Sequence, residues 1–495
     1  MDGRFYYKIK VCCLFCATIC SLALAGTDIL LPRDRVLCDA SPTTNWDLLS
    51  AYHSSAIGAN DEGFAFPKRT YVNRQWAKSK YLYLESTQYR SAFTILPFIG
   101  GGAKREDSLS VSLDALAGVS FAGWIDSLDY SLRAQYSAGF YDEEVPRSAQ
   151  CAGHAIFWRS INHNDKNIST IAYDLMASFH YDWLQVGFER NSAHWGPGFF
   201  NNLALNQHSY PYYLLNFHLT IGPLRVSSLY GNLRVAPWEE SNTEFSNRSL
   251  FAHRYELLLG NLTLGISETQ VIYDNMNAWL FVPVVPLFME KGNYSKKSNN
   301  GAIAFDANYR LLKMLRLYTE FYLDDMESPI SLVKNDNIEA KWAWMVGTQF
   351  GYTYLGGNKK IEAGSIIEYS RVEPYVYTHF FENTAQMAHA GKPLGNPNGP
   401  NSMTICIAGY VFWNEKIFVL LNNEFVWKGL DKGSSLNDES PLLNGMNMKK
   451  YFLKENETSY ALTLSAKYQL KWFSLEAGFR FFFNEKAFSN VVFLL

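Results

Sequence analysis

The chain has 495 residues and a formal net charge of -3 at pH 7; 16% of it is aromatic (31 Tyr, 34 Phe, 13 Trp) and only 18% is charged. That balance leaves no basic footprint for nucleic acid, and the charged fraction is below the roughly 25% usual in soluble domains. After the N-terminus no apolar run reaches the about 18 residues of a membrane helix, and the nearest, Ala278 to Met289, holds Pro283 and Pro286.

The chain opens with an export signal. Arg4, Lys8 and Lys10 precede an apolar run from Val11 to Leu24, and Ala23-Leu24-Ala25 offers a small-x-small cleavage site. A lipoprotein anchor at Cys16 or Cys20 is disfavoured, because the large Phe15 and Ile19 precede them. Cys12, Cys13, Cys16 and Cys20 leave with the signal, and Cys38, Cys151 and Cys406 remain. An odd number allows one disulfide at most, and the spacing fits no metal site. An exported, aromatic-rich chain without a membrane helix points to the other bilayer solution, a closed β-barrel, in which every backbone group is paired internally.

The reading divides the chain into a signal peptide over 1–25, a periplasmic helical segment over 26–80 and an outer-membrane barrel over 81–495. Asn45 caps an expected helix from Trp46 to Ile57, with Leu48, Leu49, Tyr52 and Ile57 near one face and Gly58 as its stop. Lys68 to Ser79 is basic and expected to be helical, either a solvated face or a contact for an anionic polymer.

From Tyr81 the hydrophobic period becomes two. Leu109, Val111, Leu113, Ala115, Ala117, Val119 and Phe121 alternate with small or polar residues. The pattern recurs at Ile171 to Asp182, Ile303 to Leu311, Leu315 to Asp324, Tyr460 to Leu470 and Leu475 to Phe483. Segments of about ten residues with one apolar face, and aromatics crowding their ends (Tyr181, Trp183, Phe321, Tyr322), are the membrane-barrel signature. Tight connections at Asp126-Ser127, Asp182-Trp183, Gly222-Pro223 and Leu312-Lys313-Met314 alternate with long polar ones such as Glu143 to Asn167 and Asn383 to Asn401. Short periplasmic turns and long outer loops are expected of such barrels. The fold class is therefore all-β, a transmembrane antiparallel β-barrel of about 18 strands, with 16 the alternative, behind a small N-terminal helical segment.

Catalytic motifs are absent after the signal segment: there is no GxSxG, HExxH or CxxC there, and Cys13-Leu14-Phe15-Cys16 leaves with the signal. His154, His163, His194, His208 and His218 cluster loosely, without metal spacing, and His208-Ser209 reads as a polar loop rather than a hydrolase pair. No catalytic residue, metal or cofactor is expected. Charges of both signs fall on the expected lumen face: Asp174, Glu189, Arg190, Asp306, Arg310, Glu320, Glu362 and Glu368. They could pair and close the lumen or equally tune a channel.

One stretch stands out, Phe188 to Gly231: a strand, an HWGPG turn at His194 to Gly198, an Asn-rich aromatic return, then a second strand pair joined at Gly222-Pro223. Pro197 fixes its own φ and biases Gly196 towards extended geometry, while Gly196 and Gly198 allow backbone shapes closed to other residues. His194, Trp195, Gly196, Pro197 and Gly198 are the candidate binding residues, with a structural corner the preferred reading.

The stretch resembles the Wzi family of capsule-assembly outer-membrane proteins: Trp195-Gly196-Pro197-Gly198, Asn201-Asn202, Pro211, Gly222-Pro223 and Leu229-Tyr230-Gly231. The likeness continues through Glu268, Pro283, Leu323-Asp324-Asp325, Glu368-Tyr369, Tyr375 to His379, Pro393-Leu394-Gly395 and Gly399-Pro400, with Asn401 where the family more usually has Asp. It runs from about Asp34 to the C-terminus, with a divergent middle third. The resemblance implies an 18-stranded barrel that acts as a non-enzymatic surface lectin, holding capsular polysaccharide at the cell surface. Partners are then outer-membrane lipid and surface polysaccharide, and a monomer is expected. No motif here maps onto a sugar site. An outer-membrane solute channel and an outer-membrane hydrolase are the rival readings.

Overall fold

In a computed structural model of the chain, the residues described are 83–106, 110–141, 158–161, 166–234, 247–273, 278–290, 299–325, 340–357, 359–379, 385–414, 416–438, 450–470, 474–484 and 487–494, together with Leu49, Tyr52, His53 and Ala56. The signal peptide, Asn45, the Lys68 to Ser79 segment, Cys38, Cys151, His154 and His163 lie outside the described residues.

The alternating segments form a ring of antiparallel strands. The first five are β1 (Ser91–Glu106), β2 (Ser110–Ile125), β3 (Leu128–Tyr141), β4 (Asn167–Tyr181) and β5 (Leu184–Asn191). Next come β6 (Tyr212–Ile221), β7 (Leu224–Arg234), β8 (Asn247–Leu259), β9 (Leu262–Tyr273) and β10 (Asn299–Leu312). Then follow β11 (Leu315–Asp325), β12 (Lys341–Gly356), β13 (Lys359–Val372), β14 (Ser402–Trp413) and β15 (Ile417–Gly429). The last are β16 (Asn456–Gln469), β17 (Ser474–Asn484) and β18 (Ala487–Leu494). Each pairs with its neighbours in chain order, and β18 pairs with β1 from Gly101↔Leu494 to Glu106↔Ser489, which completes a circuit of 18 strands. The larger of the two expected strand numbers is the one found.

The expected turns are present. Ile125↔Leu128, Tyr181↔Leu184, Ile221↔Leu224 and Leu312↔Leu315 are the last pairs before two-residue connections. Gly222 in the third of these, and Gly260 in the like turn closed by Leu259↔Leu262, take φ +57° and +62°, the left-handed shape that glycine adopts without strain. All these turns lie at one end of the ring, and the long connections leave from the other.

Period-two patterning sorts the side chains. Along β14, Ser402, Thr404, Cys406, Ala408, Tyr410 and Phe412 are buried, while Ile407, Val411 and Trp413 are exposed. The apolar face is the one without protein over it: Phe305, Ile367 and Ile407 are 46%, 45% and 43% exposed. The polar face is buried inside the ring. This inverts a soluble protein and suits a wall with hydrocarbon outside.

β5 and β6 are short, ending at Asn191 and Tyr212, and β4 continues above them. A four-residue strand, Trp158–Ile161, pairs with the edge left free on β4, from Ile161↔Ile168 to Trp158↔Ile171. The wall is thus patched where the chain leaves it to enter the lumen.

Phe305, near the middle of β10, tests which face meets lipid. Phe305→Arg is expected to lower the unfolding free energy in bilayers by about 2–4 kcal/mol, the cost of an arginine near the midplane. Urea titration in lipid vesicles reads it, and no loss of stability would place this face elsewhere.

Candidate functional site

The 192–211 segment leaves the wall at Asn191 and returns at Tyr212; every residue in it is buried except His208, which is half-buried. It folds into the lumen rather than out over the rim. A backbone drawn away from the wall must replace its ladder hydrogen bonds. Locally, Trp195 pairs with Leu205 in a short antiparallel bridge (N–H to O, 3.1 Å), and the Asn202 Oδ1 accepts the Gly198 N–H at 2.6 Å.

The rest comes from two carboxylates on the opposite wall. Glu368 of β13 accepts the N–H groups of Phe199 (2.5 Å), Phe200 (3.0 Å) and Asn201 (2.9 Å), and the Tyr318 hydroxyl at 2.9 Å. Glu320 of β11 accepts those of Leu203 (2.8 Å) and Ala204 (3.0 Å). Both carboxylates are wholly buried. Convergent amide donors give charge-assisted hydrogen bonds, stronger than neutral ones. Arg316 of β11 completes the clasp by donating to the Pro197 carbonyl at 2.8 Å, its guanidinium lying 4.2 Å from the Tyr318 ring centre.

The HWGPG residues are placed within this arrangement. His194 and Trp195 are 2% and 1% exposed. His194 Nδ1 lies 3.4 Å from the Gln207 N–H, and its Nε2 lies 3.0 Å from both the Tyr52 hydroxyl and the Asn202 Nδ2. Gly196 sits at φ +123°, so the positive φ replaces the expected extended geometry. A Cβ there would also come within 2.9 Å of the Asn202 Oδ1 and 3.2 Å of the Glu320 Oε2. At Gly198 a Cβ would meet the Asn202 Oδ1 at 2.7 Å and the Met345 Cε at 2.8 Å, so both side chains would have to move to admit one. Ser209 turns its hydroxyl to the Asn206 carbonyl at 3.5 Å.

The N-terminal helical residues dock beneath. Leu49, Tyr52, His53 and Ala56 are helical, buried and spaced to share one face. His53 thus takes part in the buried face, which the sequence assigned to Leu48, Leu49, Tyr52 and Ile57. The single Tyr52 hydroxyl proton is shared between the carbonyls of Gly196 (2.7 Å) and Gly198 (2.9 Å), and the ring packs edge-on against Phe199 at 5.8 Å. Burial pushes the Tyr52 hydroxyl up, so it stays protonated and able to donate. His53 bonds Tyr410 at 3.0 Å and Thr353 at 3.2 Å.

The 373–401 connection adds a second layer. Asp324 accepts the Tyr377 N–H at 2.7 Å, and the Tyr377 hydroxyl donates to the Leu203 carbonyl at 2.8 Å. The Leu394 carbonyl accepts the Asn206 N–H at 2.6 Å. A Cβ on Gly395 would stand 1.9 Å from the Leu203 carbonyl oxygen, so this close approach requires glycine. Asn401, at φ +52°, donates to the Ser434 hydroxyl (2.8 Å) and accepts the Leu453 N–H (2.9 Å).

The other lumen charges are mostly paired with one another. Arg254 meets Asp306 through two contacts of 2.6 and 3.0 Å and Glu256 at 2.9 Å. Glu189 accepts from Asn216 at 2.6 Å, and Arg190 lies 3.8 Å from Asp174. Arg310 and Glu362 sit nearer the short-turn end, beside Asn261 (2.7 Å) and Lys360 (3.3 Å). Sequence reasoning found Glu320 and Glu368 as lumen charges but not what they hold. Arg316 and His53 had no signal beyond their residue type, and Gly395 had only its place in the Pro393-Leu394-Gly395 element.

No family model matches the chain, and no curated protein matches it in sequence. Among solved structures it is similar to Wzi from Escherichia coli, described as an outer membrane protein involved in group 1 capsule assembly and a carbohydrate-binding β-barrel. The TM-score is 0.52 at 11% identity, over 80% of this chain and 84% of that one. The outer membrane protein OprD from Pseudomonas aeruginosa gives a TM-score of 0.41 at 11% identity, over 82% of this chain and 92% of that one. The fold is that of an outer-membrane β-barrel.

Two outcomes follow from the clasp. Glu368→Gln leaves one carbonyl oxygen where two carboxylate oxygens took three amides and a hydroxyl, at about 1–3 kcal/mol for each buried group left unpaired. Limited proteolysis should then cut within 192–211 while the barrel stays resistant to SDS; unchanged protection would refute the clasp. Burial, with Lys360 second, holds the His53 imidazole down at about 4. The docked helix therefore prefers neutral His53, and its docking, complete above the ordinary histidine range near 6.5, weakens as pH falls towards about 4. Protease sensitivity near Tyr52 should rise over that window and stay flat in His53→Gln.

Proposed function

We propose that the protein holds surface or capsular polysaccharide at the outer membrane as a non-enzymatic, plugged barrel. The observation that carries this reading is the buried 192–211 segment, clasped across the lumen by Glu320 and Glu368 and underlain by Tyr52. A segment held by five amide-to-carboxylate bonds is built to stay, whereas a solute path needs that space free. His194, bonded through both ring nitrogens, and Trp195, 1% exposed, fit a pin that shapes the barrel rather than a surface for sugar.

The carbohydrate-binding description of the Escherichia coli protein of similar fold supports the same reading. Glycan would be met on the long-loop side, where aromatic rings can stack on sugars and polar neighbours can bond hydroxyls. The export signal and the monomeric state remain part of this proposal, as does the division at 25 and 80. A solute channel is the rival.

Two measurements on refolded full-length protein separate them. Retention on immobilised capsular polysaccharide, with no steady conductance in planar bilayers, is the expected outcome. A large, steady open channel without polysaccharide retention would overturn it.

A further inference from the structure

The 278–290 segment, the most apolar stretch of the barrel sequence, lies on the outside of the wall. It consists of a 3-10 turn, Ala278–Phe281, and one turn of helix, Leu287–Glu290, joined through Pro283 and Pro286. Arg254 points into the lumen to Asp306, so its neighbours on β8, His253 and Tyr255, face the opposite way. The register puts Ser228 of β7 and Glu268 of β9 opposite His253, hence also on the outer face.

These four groups would be costly against hydrocarbon. Each meets the segment instead. The Ser228 hydroxyl donates to the Phe281 carbonyl, and His253 Nε2 lies 2.9 Å from the Leu280 carbonyl. The Tyr255 hydroxyl donates to the Pro283 carbonyl, and Glu268 accepts the Leu287 N–H at 3.2 Å. Around these bonds Leu280 and Leu287 pack on Phe251 and Ile272, flanked by Tyr230, Phe281 and Val285.

Among the described residues, nothing polar covers Val284 and Met289 on the other side of the segment. Val284 is 82% and Met289 77% exposed. This apolar side is continuous with the lipid-facing wall next to it, where Leu264, Ile266 and Phe305 are 41%, 44% and 46% exposed. The strap covers the half of β8 nearer the long connections, which in outer-membrane barrels is the outer-leaflet half.

We infer that 278–290 is a lipid-embedded strap. It satisfies a polar strip of the wall with its own backbone and presents Val284 and Met289 to the acyl chains of the surrounding lipid. The occupant of the outward face is hydrocarbon, because the face is apolar and continuous with the lipid belt. The inference rests on the barrel spanning the membrane, but not on the polysaccharide reading.

Site-directed spin labelling tests it. The full-length chain, with all seven of its cysteines changed to Ala, is labelled singly through Val284→Cys, Leu264→Cys or Lys432→Cys and reconstituted in phosphatidylethanolamine–phosphatidylglycerol vesicles. Lys432 is an exposed loop position, and Leu264 reports the bare wall. The expected result is that Val284→Cys collides with dissolved oxygen severalfold more than with a water-soluble nickel chelate, as Leu264→Cys does. A nickel-accessible label like that at Lys432→Cys would overturn the strap, and so would a label shielded from both probes, which would mean protein rather than lipid covers it. If Leu264→Cys itself reads as water-exposed, the membrane barrel fails and not the strap alone.

Discussion

A peptide backbone inside a barrel has lost the wall's hydrogen-bond ladder, and the structure depends on how that loss is made good. Five consecutive-region amides, from Phe199 to Ala204, converge on Glu320 and Glu368. Two buried carboxylates alone would be very costly. The amides that need acceptors and the carboxylates that need donors offset one another. Most of the neighbouring features then follow. Gly196 and Gly198 let the chain approach Asn202 and Glu320, Arg316 takes the Pro197 carbonyl, and Gly395 allows the second layer to touch Leu203.

The wall is arranged around that lumen segment. β5 and β6 stop early so that the chain can turn inward, and Trp158–Ile161 closes the edge this leaves on β4. Lumen charges pair within the wall where the segment does not reach them, as in the Arg254, Asp306 and Glu256 group. On the outside the same accounting recurs with opposite polarity. There the strap supplies backbone groups to polar side chains that lipid could not satisfy. Inside, side chains serve a displaced backbone; outside, a displaced backbone serves side chains.

The barrel was legible because period-two patterning and tight turns are local signals that lipid enforces on every strand. Strand ends such as Asp182-Trp183 and Gly222-Pro223 could be read directly. The destination of the loops could not. Nothing in the composition of 192–211 separates a loop folded inward from one folded outward, because the decision lies with Glu320 and Glu368, more than a hundred residues away. The Ala278 to Met289 run was legible as too short to span a membrane, but its place against the wall depends on Ser228, His253 and Glu268, which lie on three strands. Gly196 illustrates the same limit: glycine-proline suggests an extended corner, and the residue takes φ +123° where a Cβ would crowd Asn202.

The central claim is that the 192–211 backbone is a fixed part of the barrel interior, and amide hydrogen exchange on the protein in nanodiscs tests it most directly. The account predicts that the amides of Phe199, Phe200, Asn201, Leu203 and Ala204 exchange as slowly as those of the β11 and β13 ladders. Exchange at the rate of an open loop such as that around Lys432 would contradict it.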